Sequence, residues 1–310
     1  MNENLMTVLN AVEVGERVEL EALSLFPLSW KGQGQVLADM AVLEEGIKCE
    51  KVIVEEITEG GSVPNLQVTN DLDVDLFILE GEEVQGAKQN RILNICVVIA
   101  AKTKVTVPVS CVEHGRWSYR SKHFSSGNRA SFRIRRDASK SVNESLKCER
   151  EFRSDQCKVW DNVEEELQAR ACSSPTSALS DAYETMSVDL DGLIEKVNLP
   201  ENTAGVIVAF GNRVVSVELF GTPGLFRKLS RKVMRSYAFD IYGKREVKNR
   251  PSKDTAEKFL KGIVEASVDW HKSPGVGTQI RFESDYVVGS ALVTDGGVAY
   301  ASLMTQANGV

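Results

Sequence analysis

Between Arg17 and Val112, apolar side chains recur at every second position, in runs too short for helices and broken by Gly, Asn, Asp and Pro. Successive side chains of a strand point to opposite faces, so this alternation belongs to strands with one buried face. Val18–Leu23, Gln35–Val42, Lys51–Glu56, Asn65–Val68, Asp73–Leu79, Ile92–Ile99 and Lys104–Val112 are the expected strands, with Gly60-Gly61 and Asn70-Asp71 as turns. Many short strands at close spacing predict an antiparallel β sandwich or barrel-like domain over residues 1–120.

The character then changes. Residues 121–200 carry charged, helix-compatible stretches such as Trp160–Ala171, interrupted at Ser173-Ser174-Pro175-Thr176, and are expected to form a helical, basic connecting region. Residues 201–310 read as an α+β portion with two hairpins and two helices between them. Gly211-Asn212 separates Gly205–Phe210 from Arg213–Phe220, a two-residue connection suited to a tight hairpin. Thr222 before Pro223 marks a helix start. Leu225, Leu229, Val233 and Tyr237 then recur every fourth residue, and Gly243 can end the run. Asp254 with Glu257 predicts a capping box for a second helix carrying Phe259, Leu260, Ile263 and Val264. Tyr286–Thr294 and Val298–Met304 flank Asp295-Gly296-Gly297, the second hairpin. Strands, then helices, then strands, without βαβ alternation, give the α+β class.

Charge narrows the partners. A formal net charge of -7 argues against a nucleic-acid-binding or anionic-membrane-binding surface. No apolar run approaches the roughly 18 residues needed to span a bilayer, and Met1–Glu16 lacks the basic cluster of a secretory signal. Six cysteines without a C-x-x-C pair are expected to be free thiols in a reducing compartment, which makes the expected location cytoplasmic.

Polar chemistry is concentrated from Glu80 to Trp117. Glu80 ends the row Leu72, Val74, Leu76, Ile78, and Glu113 ends the row Val105, Val107, Val109, Cys111. Arg91 shares parity with Leu93, Ile95, Val97 and Ile99. The two acids and the arginine are therefore expected to converge at one end of a hydrophobic layer. An ionised carboxylate in apolar surroundings is costly unless it is paired and hydrogen-bonded. The cluster thus needs either an internal Glu–Arg network or a ligand. In the ligand reading Glu80 and Glu113 are the acid/base candidates, and Lys88 completes the catalytic set by holding negative charge. Glu82, Glu83, Gln89, Asn90, Arg91 and Arg116 would bind the ligand, with Trp117 stacking on a ring.

Cys111 and His114 fall on opposite faces of a strand, so Cys111 reads as a buried apolar residue rather than a nucleophile. None of the three histidines has zinc spacing, and the acids lack a cation-loop signature, so no metal site is assigned and no cofactor is named. From Arg116 to Lys140 eight basic residues face one acid, Asp137. Arg129, Arg133, Arg135 and Arg136 would suit phosphate, with backbone N–H groups of Ser125-Ser126-Gly127-Asn128 beside them. A solvated face pairing with Glu164–Glu166 explains the same run.

Three stretches, Leu79–Gly86, Lys88–Asn94 and Val109–Trp117, together resemble the family named for its association with ADP-ribosylglycohydrolases and rhodanese-phosphatases, a domain of unknown function. The resemblance covers most of the chain and implies a setting in ADP-ribose or nucleotide metabolism, without assigning catalytic residues. Two functions follow as expectations: an enzyme or binding protein for an ADP-ribose-like or other nucleotide ligand, or a noncatalytic binding or assembly module with a structural Glu–Arg network. A homo-oligomer is compatible with either.

Overall fold

The computed structural model describes residues 8, 10–32, 37–58, 60–244, 247–261 and 266–306. Gln35 and Val36, in one expected strand, and Ile263 and Val264, in one expected helical stripe, lie outside the described residues. The chain is α+β and divides into two compact units: Met1–Ala38 with Leu190–Lys272 and Gly277–Val310, and Asp39–Asp189 with Ser273–Val276. This division departs from the boundaries near residues 120 and 200 read from composition. The reason is long-range pairing: Leu23–Trp30 lies antiparallel to Gly205–Phe210, so the first strands complete a sheet made mostly of the last ones.

The first unit is a nine-stranded antiparallel sheet. Both expected hairpins form, Gly205–Phe210 with Arg213–Phe220 and Val287–Thr294 with Gly297–Thr305. A third, Ser267–Lys272 with Thr278–Glu283, extends the sheet. One face buries Phe26, Leu28, Ile207, Val217, Leu219, Ala301 and Leu303 against Ala256 and Leu260 of the helix Lys253–Lys261. Against the sheet also packs the helix Pro223–Ile241, whose Tyr237 hydroxyl donates to the buried Glu218. Thr222 caps that helix as expected, its hydroxyl accepting from the Leu225 N–H at 3.1 Å. The later helix is capped instead by Ser252, which accepts from Thr255 N at 3.2 Å, and Asp254 pairs with Lys258.

The second unit holds a six-stranded antiparallel sheet in the order Phe124–Arg129, Glu82–Gly86, Arg91–Leu93, Thr103–Cys111, Asn65–Asn70, Val52–Glu56. A smaller sheet joins Val97–Ile99, Leu76–Ile78 and the short parallel strand Ala41–Val42. Leu66, Val68, Leu76, Ile78, Leu93, Val97 and Val107 form its core, closed by Val142 and Leu146 of the helix Phe132–Cys148. The expected strand Asp73–Leu79 is cut short. The Asn70 side chain accepts from Leu72 N and donates to Val74 O, which holds residues 71–75 in a loop and leaves Val74 exposed. The expected strand Ile92–Ile99 is likewise two strands, interrupted at residues 94–96. The connecting region begins with the strand Phe124–Arg129 before its helices Phe132–Cys148, Gln156–Ala169, Leu179–Thr185 and Ser187–Ile194. No helix among the described residues is long and apolar enough to cross a membrane.

The Thr222 cap generates a direct expectation. Thr222→Ala removes the acceptor for one otherwise unbonded N–H and should lower unfolding free energy by about 1 kcal/mol, whereas Thr222→Ser should cost only a fraction of that. Urea denaturation of both variants reads the difference.

Candidate functional site

The stretch from Glu82 to Glu113 is folded so that a hairpin delivers polar groups onto a third strand. Glu83 pairs with Ile92 and Val84 with Arg91 across the hairpin, while Arg91 lies opposite Cys111 on the next strand. The turn closing the hairpin carries Ala87 at positive φ, and Asn90 closes it by accepting from Gly86 N at 3.1 Å.

Arg116 binds these pieces together. Its Nε and Nη2 grip the Glu113 carboxylate at 2.8 and 2.6 Å in a fork. Its remaining donors reach the carbonyls of Ala87, Ser118 and Gly86 and the Asn90 side-chain oxygen. With this set the guanidinium is fully engaged within the fold. Glu113 also accepts from Asn90 N at 3.0 Å and from Thr176 Oγ1 at 2.8 Å. Burial alone would raise its proton affinity, but these donors outweigh it and hold the carboxyl below its ordinary range. Glu113 is an ionised anchor, not a proton donor poised near neutrality.

Glu83 has the opposite character. Burial pushes its carboxyl up to about 7, helped by the nearby charges of Glu113 and Glu184, against the lowering effect of hydrogen bonds from Gln85 and the Asn128 N–H. The Asn90 amide lies between it and Ser180, at 3.5 Å from Glu83 Oε1 and 3.1 Å from Ser180 Oγ. The stretch Ser125–Asn128 thus does present an N–H to an anion, but that anion is Glu83 itself. A bulge between Ser126 and Arg129 brings Gly127 so close that a Cβ there would sit 2.8 Å from Glu83 Oε2.

Glu80 and Glu82 flank the Gly81 turn. Arg129 donates to the Glu80 carbonyl at 3.0 Å, Glu82 accepts from Leu79 N at 3.3 Å, and Arg135 packs over Gly81, whose φ is +73°. The carboxylate joined to Glu113 through Asn90 is Glu83. The basic run is also dispersed. Arg129 and Arg135 are buried, Arg133 pairs with Glu165, and Arg136 pairs with Asp137. Arg129 and Arg135 meet at the Gly81 turn, while Arg133 and Arg136 are taken up by their own acidic partners, so the four do not form one phosphate cradle. Cys111 is a buried thiol with its proton affinity raised by burial, and His114 stacks on Trp160 at 4.1 Å. The described residues gather no cluster of His, Cys, Asp or Glu able to hold a metal ion.

Arg91 is fully buried and donates to Gln89 Oε1 at 3.1 Å, while Gln89 also accepts from the Cys111 thiol. Its charge partner is Glu56, at 3.9 Å, whose side chain is only 3% exposed. Neither Glu56 oxygen accepts a hydrogen bond among the described residues, nor do Arg91 Nε and Nη2 donate one. Glu56 lines an open pocket of about 820 Å³ with Glu55, Ile57, Thr58, Tyr119, Arg120, Ser121 and Lys122. Lys88 donates to Gly60 O at 2.7 Å and lies over the rings of Trp117 and Tyr119, 5.3 and 5.2 Å from their centroids. Glu56 and Tyr119 were not among the expected site residues. The interleaving of Trp117 and Tyr119 with Arg116, Arg120 and Lys122 was the available signal for the second; nothing in the sequence near Glu56 marks it as Arg91's partner.

The two carboxylates make opposite pH predictions. Glu83 holds its proton more tightly folded than unfolded, so its stabilising contribution is full below about pH 4.5 and is lost as pH rises through about 7. The loss is on the order of 3 kcal/mol. Glu83→Gln, neutral throughout, should show a flatter change in urea stability between pH 5 and pH 8 than the parent chain; parallel profiles would remove Glu83 as the source. Glu113→Gln should cost about 2–3 kcal/mol at neutral pH by weakening the fork to a buried guanidinium. That cost should shrink as pH falls through the carboxylate range, because the lowered proton affinity of Glu113 stabilises the fold only while it is ionised.

The profile of the ARG and Rhodanese-Phosphatase-superfamily-associated Protein domain matches residues 11–304. Neither a curated protein nor a solved structure gives a match. Because the family profile spans both units almost from end to end, the chain belongs to the ARG and Rhodanese-Phosphatase-superfamily-associated Protein domain family.

Proposed function

We propose that the unit Asp39–Asp189 binds a nucleotide-like ligand, of the ADP-ribose kind, in the pocket between Glu55–Thr58 and Tyr119–Lys122. The observation that carries the reading is the Glu56–Arg91 pair. A buried charge pair with unmet hydrogen-bonding capacity is costly, and in a native fold such groups call for a polar partner. Glu56 is part of the pocket wall with its carboxylate oxygens buried just behind the surface, so ribose hydroxyl or base amino groups would donate to them on a local opening of that wall. Arg120 and Lys122 supply positive charge for phosphate, and Tyr119 with Trp117 offers ring faces. The volume, about 820 Å³, lies within the range of small-molecule sites. The web of Glu113, Arg116, Asn90 and Glu83 serves as the frame that holds these walls. The family's association with enzymes of the ADP-ribosylglycohydrolase and rhodanese-phosphatase groups agrees with a ligand of this chemistry.

A second reading is catalytic, and a single observation favours it: Glu83 holds its proton near neutrality, the property a general acid or base needs. Its 1% exposure, with both oxygens engaged, weighs towards the binding reading.

Thermal-shift titration with ADP-ribose, AMP, ATP and ribose 5-phosphate tests the proposal. A ligand at a hundred times its dissociation constant should stabilise the fold by about 2.7 kcal/mol. Glu56→Gln and the double variant Arg120→Ser with Lys122→Ser should each reduce the shift, with Tm of the free protein little changed for the exposed double variant. Absence of any shift across the panel, or shifts that both variants leave intact, would reject the pocket.

A further inference from the structure

The first unit contains a cavity of its own, about 450 Å³, that the nucleotide reading does not use. One wall is a stripe of the helix Pro223–Ile241: Pro223, Phe226, Arg227, Ser230, Arg231 and Met234, spaced three and four residues apart as one helical face requires. The other wall is the segment from Ile194 to Thr203, which brings Val197, Leu199 and Pro200 together with Glu195 and Glu201.

Three observations bear on what this cavity holds. Its charges are of both signs and do not neutralise one another. Arg231 and Arg235 share Asp191, at 3.1 and 2.8 Å, but Arg227 forms no ion pair among the described residues, and neither do Glu195 and Glu201. Its body is apolar, supplied by Phe226, Met234 and Leu199. Finally, Thr203 is only 3% exposed, lines the cavity, and its hydroxyl has no hydrogen-bond partner among the described residues. A buried hydroxyl left unbonded is destabilising, and a polar ligand group in the cavity would relieve that cost.

We infer that this cavity is a binding site for a small zwitterion on an apolar body, the chemistry of an apolar α-amino acid. The ligand carboxylate meets Arg227, the ammonium meets Glu195 or Glu201, and the side chain rests on Phe226 and Met234. The Thr203 hydroxyl completes its hydrogen bonding with one of the ligand's polar ends. A simple anion would use Arg227 but face the two glutamates; a simple cation would use the glutamates but face Arg227. Only a molecule bearing both charges matches the whole lining.

The test uses the full chain and three related probes, L-leucine, N-acetyl-L-leucine and L-leucinamide, titrated by calorimetry. Leucine should bind saturably, and the other two, each lacking one charge, should bind about tenfold or more weakly. Arg227→Gln should weaken leucine by about tenfold, and Ser230→Trp, which fills the cavity from an exposed wall, should abolish binding. Thr203→Val should weaken leucine several-fold without lowering Tm, since the unliganded fold gains nothing from the hydroxyl. Tyr119→Ala, in the separate nucleotide pocket, should leave leucine binding unchanged. No saturable binding at millimolar leucine, equal affinity for either derivative, or unaltered affinity in both Arg227→Gln and Ser230→Trp would overturn the inference.

Discussion

A guanidinium and a carboxylate taken out of water must replace their entire hydration shells with protein groups, and Arg116 and Glu113 do this almost completely. The arginine's donors and the glutamate's acceptors reach Gly86, Ala87, Asn90, Ser118 and Thr176, five positions drawn from three separate stretches of chain. None of these contacts can be lost singly, because each leaves a charge in a low-dielectric interior with a missing partner. The hairpin turn, the strand end after Cys111 and the start of the helix Leu179–Thr185 are held in register by one ion pair. The walls of the pocket inherit their positions from it, since Tyr119–Lys122 follows Arg116 and Ser118 directly.

This dependence explains which parts of the molecule could be read in the sequence. Local chemistry was legible. Gly211-Asn212 and Asp295-Gly297 close hairpins because their backbones tolerate tight turns, and Thr222-Pro223 opens a helix because an N-cap acts on its own next three residues. Pairing between distant strands was not. Nothing near Leu23–Trp30 specifies Gly205–Phe210 as its neighbour; both are apolar on nearly every residue, and any such strand would satisfy either. The strand Glu82–Gly86 also escaped notice, since acids and glycines have low strand propensity and the segment is held extended by its pairing with the distant strand Phe124–Arg129 and with Arg91–Leu93.

The site followed the same rule. A concentration of charge between Glu80 and Trp117 was visible, and Glu113 and Arg91 are both buried, as are their neighbours of either parity. The sorting of roles among the acids was invisible, because it depends on donors remote in sequence. Thr176 helps ionise Glu113, Asn128 moderates Glu83, and Arg129 holds the Glu80 carbonyl. Glu83 and Glu113, thirty positions apart and alike in type, thus end with proton affinities shifted in opposite directions. Parity gives the direction of a side chain; the protonation state belongs to whatever the rest of the chain brings to meet it.

The discontinuity of the first unit has a consequence for how the chain is made. Leu23–Trp30 is buried along most of its length and pairs at once with Val12–Val14 and Val18–Leu20, yet the strand on its other edge begins at Gly205, some 175 residues later. At ordinary rates of synthesis that interval lasts roughly ten to thirty-five seconds. Most of the second unit, Asp39–Asp189, emerges in the meantime with nearly all of its own partners present, and so can close while the apolar strand ahead of it is still exposed. The nascent chain therefore carries a sticky edge through most of its synthesis. Its yield in a cell should depend less on final stability than on how well that strand is shielded until the C-terminal half arrives.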